Sequence, residues 1–149
     1  EDILKIAVVE RHNYTGHIGI GYIKGYGLRS GAVATSISHD SHNIIVVGTN
    51  DEDMAAAVNH IAENGGGITV FDGGKCIGDV KLGIAGLMSD DPLIDVNRNL
   101  EDAKVRAFEL GVSKLIDPFM TLSFMSLPVI PKLRLTTRGV FDVESQSYV

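Results

Sequence analysis

The run Ile44-Ile45-Val46-Val47-Gly48, followed at once by Thr49-Asn50-Asp51-Glu52-Asp53-Met54, restricts the fold more than any other segment. A stretch with four consecutive β-branched apolar residues and no polar one reads as a strand buried on both faces, so the chain has to cover a sheet from two sides. Asn50 is a good N-cap, and three acids in the next turn favour the positive end of a helix dipole. Met54, Ala57, Val58, Ile61 and Ala62 then fall on one helical stripe. Gly65-Gly66-Gly67 ends the helix by admitting left-handed backbone.

The other elements follow from the same rules. Leu4–Arg11 reads as a largely buried strand that stops at Arg11-His12-Asn13. Gly16–Gly27 interleaves glycine with Ile and Tyr; a dinucleotide-binding loop would need a helix after it, and no helical period follows. A glycine-kinked strand, approached closely by another backbone or by a ligand, is the expected structure there. Ala32–Ser38 is a further strand. Gly67–Phe71 and Lys75–Val80 flank Asp72-Gly73-Gly74 as a β-hairpin. A second helix is expected from about Pro92 to Leu110, with the stripe Leu93, Val96, Leu100, Ala103, Ala107 and Leu110, a cap at Ser89 or Asp90, and Gly111 as its stop. Pro118–Met125 is a short helix or an apolar packing segment, and the tail from Leu133 carries weak strand patterns that wrap the surface. The fold class is therefore α/β (α+β): one domain over residues 1–149, with a mixed β-sheet and two main helices.

Partners are narrowed by charge. The 149 residues carry a net charge of -6, and their basic residues are scattered, so neither nucleic acid nor an anionic membrane is an expected partner. No apolar run reaches the length of a membrane span. Cys76 is the one cysteine, which suits a reducing, cytoplasmic setting, and a small core position is expected for it.

The densest polar cluster is His39-Asp40-Ser41-His42-Asn43, in a loop between two strands. A carboxylate beside an imidazole can fix its tautomer, and the second imidazole can serve as acid, base or donor, provided that a turn at Asp40-Ser41 brings them together. The competing reading is a hydrophilic turn. A closed zinc site would want four Cys or His ligands, and Cys76 has no partner cysteine. No Gly-x-Ser-x-Gly elbow surrounds Ser41. His12 and His17 flank a second loop read as a solvated turn, and His60 is expected to face solvent.

Longer patterns resemble a known family. Val9-Glu10-Arg11-His12, Thr15-Gly16, Gly19-Ile20-Gly21-Tyr22 and Gly25-Tyr26-Gly27-Leu28 are similar to the C-terminal domain of bacterial and archaeal adenine deaminases. So are Ser38–Asn43, Val46–Met54, Ile84–Asp90, Asp117–Phe124, Leu127–Pro131 and Thr137–Val143. The resemblance implies an amidohydrolase in which a (β/α) barrel with a divalent metal pair, manganese or iron, hydrolyses adenine to hypoxanthine and ammonia. A barrel of ~250 residues does not fit in this chain. The expectation is a piece of a longer polypeptide, inactive alone, whose partner is an N-terminal barrel and which also allows a homo-oligomer. In that setting His39, Asp40, Ser41, His42 and Asn43 are the candidates for closing over the purine, and the domain otherwise stiffens the barrel or makes subunit contacts. The alternative is a stand-alone, non-catalytic small-molecule-binding or interaction module.

Overall fold

The computed structural model describes residues 2–149. Six strands form the main sheet: β1 (Ile3–Val9), β2 (Ile18–Lys24), β3 (Ala32–Thr35), β4 (Ile44–Gly48), β5 (Gly67–Asp72) and β6 (Lys75–Lys81), in the order β2-β1-β4-β3-β5-β6. Every ladder is antiparallel, so the expectation of a mixed sheet is corrected. The α1 crossover causes this: it carries the chain from β4 past β3 to β5, which pairs antiparallel with β3. β4 lies at the centre with all five residues buried, as its composition requires.

One face of the sheet is covered by α1 (Asp51–Glu63), which packs Met54, Ala57 and Ile61 against Ala7, Ala32, Ala34, Ile44, Val46 and Phe71. Asn50 caps this helix by accepting from the Asp53 amide at 2.7 Å. Asp53 does more than meet the dipole. It is buried and accepts from the amides of Gly73 and Gly74, so it pins the hairpin turn to the helix start. Burial alone would raise its pKa, but the Asn50 and glycine N–H donors outweigh that and hold the carboxyl below its ordinary range. At the other end Gly66 donates to Ile61 and Gly65 to Ala62, the paired bonds of a glycine-closed helix.

The opposite face carries the larger core, around Leu4, Ile6, Val8, Val33, Ile45, Val47, Val70 and Val80. Each such side chain contributes about 1.5–3 kcal/mol when fully buried. Its cover is α2 (Leu93–Glu109), α3 (Pro118–Met125) and a small antiparallel sheet of β7 (Leu133–Thr136), β8 (Gly139–Asp142) and β9 (Ser147–Tyr148). Ala103 and Ala107 of α2 are fully buried, but Leu93 is 83% exposed and leaves the expected stripe. Pro92 occupies the cap position without a side-chain bond, so neither Ser89 nor Asp90 caps α2.

The tail does not merely wrap the surface. A Cβ on Gly19 would stand 1.7 Å from the Thr136 carbonyl oxygen, and one on Gly21 would touch Leu135. Both glycines therefore admit the β7–β8 sheet, whose backbone approaches at Gly19 and whose Leu135 and Val140 side chains approach at Gly21.

Candidate functional site at the loop end of the sheet

Strand direction gathers the loops. The C-termini of β1, β3 and β6 and the N-termini of β2, β4 and β5 share one end of the sheet. The segments 10–17, 36–43, 64–66 and 82–92 consequently meet there, although they are far apart in the chain.

Arg11 ties them together. Its Nε donates to the His42 carbonyl at 2.9 Å, Nη2 to Ala85 at 3.0 Å and Nη1 to Gly65 at 3.4 Å. Desolvation by these surroundings lowers its pKa. Gly86 packs so closely on the guanidinium that a Cβ would stand 2.4 Å from Nη1. Buried Ser36 completes the clasp, donating to the Gly86 carbonyl and accepting from the Gly67 amide. Glu10 gathers the first loop: desolvation would raise its carboxyl, but the amides of Asn13, Thr15 and His12 prevail and hold it below the usual range.

Within the 36–43 loop each candidate residue has a definite place. His39 is half-buried and stacks on Phe124 of α3, with ring centroids 5.3 Å apart and 21° between planes. Its backbone is held by the Ser123 carbonyl and by Ser126 Oγ. His42 sits at φ 51°, and its ring meets His39 edge-on at 5.4 Å. His42 Nδ1 is buried without a hydrogen-bond partner. Desolvation above all, then the neighbouring His39 and the Arg11 guanidinium, push its pKa down, against an opposite pull from Asp40. His42 is thereby held toward its neutral form, in which an imidazole carries one donor and one acceptor.

Three expectations change. Asp40 is exposed and makes no hydrogen bond to either imidazole, so it acts on His42 only through space. Ser41 engages through its carbonyl, which lies 2.7 Å from His12 Nε2; His12 is exposed, as a solvated turn requires, and also reaches this cluster. Asn43 is buried, and its Oδ1 accepts the Arg11 amide at 3.1 Å, so that oxygen serves the scaffold. His17 contributes backbone hydrogen bonds alone among the described contacts. Asp40, Ser41 and Asn43 line an open concavity of about 230 Å³ with Ser126, Val129 and Thr137.

Phe124, Ser126 and the clasp role of Arg11 were not legible as site features. Arg11 looked like a strand terminator, and Phe124 and Ser126 lie more than eighty residues downstream of the loop they support. The loop itself does not gather metal donors. Among the described residues only His60, Cys76 and Asp79 bring three ligand atoms within 4.8 Å of one another.

Val9–His12, Ser38–Asn43 and Ile84–Asp90, at or beside this end of the sheet, are among the segments that carried the family resemblance, and a family comparison decides the matter. A model of the adenine deaminase C-terminal domain matches residues 1–147. The chain belongs to that family. Adenine deaminases from Desulfatibacillum aliphaticivorans, Bacillus subtilis and Bacillus licheniformis are 55%, 52% and 51% identical to it over 148 residues, 99% of this chain. The chain spans about a quarter, 26%, of the length of each of these relatives. It is thus a C-terminal domain by family, with neither the size nor the strand arrangement of a barrel.

Proposed function

We propose that this domain serves a metal-dependent adenine deaminase, hydrolysing adenine to hypoxanthine and ammonia in cytoplasmic purine salvage, and that its loop end faces the mouth of the catalytic barrel. The carrying observation is the convergence of the 10–17, 36–43 and 82–92 segments on one rigid platform around Arg11. His42, held toward its neutral form, lies beside His39, which stacks on Phe124, and a neutral imidazole offers hydrogen bonds suited to a neutral heterocycle. The manganese or iron pair belongs to the barrel in this reading, and the chain alone is inactive.

The test uses the full-length enzyme that contains this chain. Replacing His39 and His42 together with Ala should lower kcat/KM for adenine by about 10- to 100-fold, the cost of one or two substrate hydrogen bonds, with the melting profile retained. Unchanged kinetics in a folded variant would overturn the loop's role. A second role, in contacts with the barrel or another subunit, is supported by β2: Ile18 and Ile20 are each 55% exposed and Tyr22 73%, beside an open apolar groove along α1.

A further inference from the structure

The β5–β6 ladder has one irregularity, and it has a chemical result. Val70 pairs with Gly78 and Phe71 with Cys76, so Ile77 is an extra residue on β6. Cys76 and Asp79 are three residues apart and would face opposite sides of a regular strand. The bulge consumes one residue and turns both toward α1, on the face of Phe71 and Thr69. There they meet His60, presented by the last turn of α1.

His60 Nε2 lies 3.1 Å from Asp79 Oδ1 and 3.9 Å from Cys76 Sγ. The imidazole rests edge-on against Phe71 at 5.5 Å, and Thr69 Oγ1 stands 3.4 Å from the sulfur. Asn64 Nδ2 also crowds His60 Nε2, at 3.1 Å. One ring nitrogen cannot both donate to the carboxylate and accept from the amide. Cys76 is exposed and His60 is half-buried against an acid, so the expected core cysteine and solvent-facing histidine are both corrected.

We propose that His60, Cys76 and Asp79 form a three-ligand site for a borderline-soft divalent cation, with zinc the best match and the fourth position open to solvent. Nitrogen, sulfur and oxygen donors are the set zinc takes, and metal–donor bonds of about 2.0–2.3 Å give tetrahedral edges of roughly 3.3–3.7 Å, near the 3.1 and 3.9 Å that separate His60 Nε2 from the other two donors. One thiolate and one carboxylate neutralise the dication. Metal entry forms the S–metal bond and releases the thiol proton to solvent. The site lies apart from the 36–43 loop and does not rest on the function proposed above.

The experiment is a titration of the chelator-stripped 149-residue chain, which has two cores of its own, with zinc and with cobalt(II) as the spectroscopic probe. Expected are one ion per chain, release of about one proton, a raised melting temperature, and a near-ultraviolet thiolate–cobalt band. Cys76→Ser should abolish the band. His60→Ala and Asp79→Asn should weaken binding by more than the roughly 10- to 100-fold that loss of an outer-shell partner costs. Circular dichroism checks that each variant is folded. Saturating cobalt without a band would overturn the site. So would binding that survives Cys76→Ser but disappears in a His39→Ala, His42→Ala variant.

Discussion

Two regions of this domain hold histidines near carboxylates, and they use them in opposite ways. In the 36–43 loop the polar residues are adjacent in sequence, yet most of their hydrogen bonds hold backbone: Asn43 takes the Arg11 amide, Ser41 its carbonyl to His12, and His42 its carbonyl to Arg11. In the α1–β6 region the three groups come from residues 60, 76 and 79, and their functional atoms face one another. Adjacent residues in an extended chain point apart, whereas a bulge and a helix turn can aim distant ones at a single point. Density of polar residues marks a place where backbone needs holding; convergence of donor atoms is a separate property that pairing alone creates.

The sharpest way to break this contrast is Arg11→Leu. It removes three hydrogen bonds from one charged group, two of them well formed, and should cost about 2–3 kcal/mol in urea unfolding while leaving metal affinity unchanged. A loss below about 0.5 kcal/mol would mean that the loops hold together without the clasp.

A smaller effect tests the buried imidazole. His42 has a folded pKa below its ordinary 6.5, so the unfolded chain takes up the proton first as pH falls. Its contribution is complete above the unfolded value and is lost as pH drops through the folded one. His42→Asn, which tolerates left-handed backbone, should flatten the fall in melting temperature between about pH 7 and pH 5. An unaltered slope would place the acid sensitivity elsewhere.

The smallest change belongs to the second region. Without metal, Cys76→Ser should shift stability by less than about 0.5 kcal/mol, because the residue is exposed and a serine hydroxyl can replace the sulfur's polar contacts with Thr69 and Gly78. Destabilisation well beyond that in stripped protein would show the cysteine to be a packing residue, and the contrast with the loop would narrow.

Much of the framework was legible because it rests on local chemistry. The doubly buried β4, the Asn50 cap, the glycine stops after both long helices and the Gly73-Gly74 turn are each consequences of neighbouring residues. The candidate loop was legible as a place, since its five residues do lie together at the platform. Its wiring was not. Arg11 reaches carbonyls 31, 54 and 74 residues away, and Phe124 supplies the stacking surface for His39 from 85 positions downstream.

Sequence alone determined the strands of the main sheet, the two long helices, the burial of β4 and the family to which the chain belongs, because capping, periodicity and extended motifs are carried by residues close to one another. Tertiary structure decided that the sheet is antiparallel throughout, that the glycines of β2 admit the β7–β8 sheet, and that Cys76 and Asp79 share a face. Those outcomes depend on which strand lies beside which and on a one-residue shift in pairing, and a shift of one residue exchanges the two faces of a strand while leaving its composition unchanged.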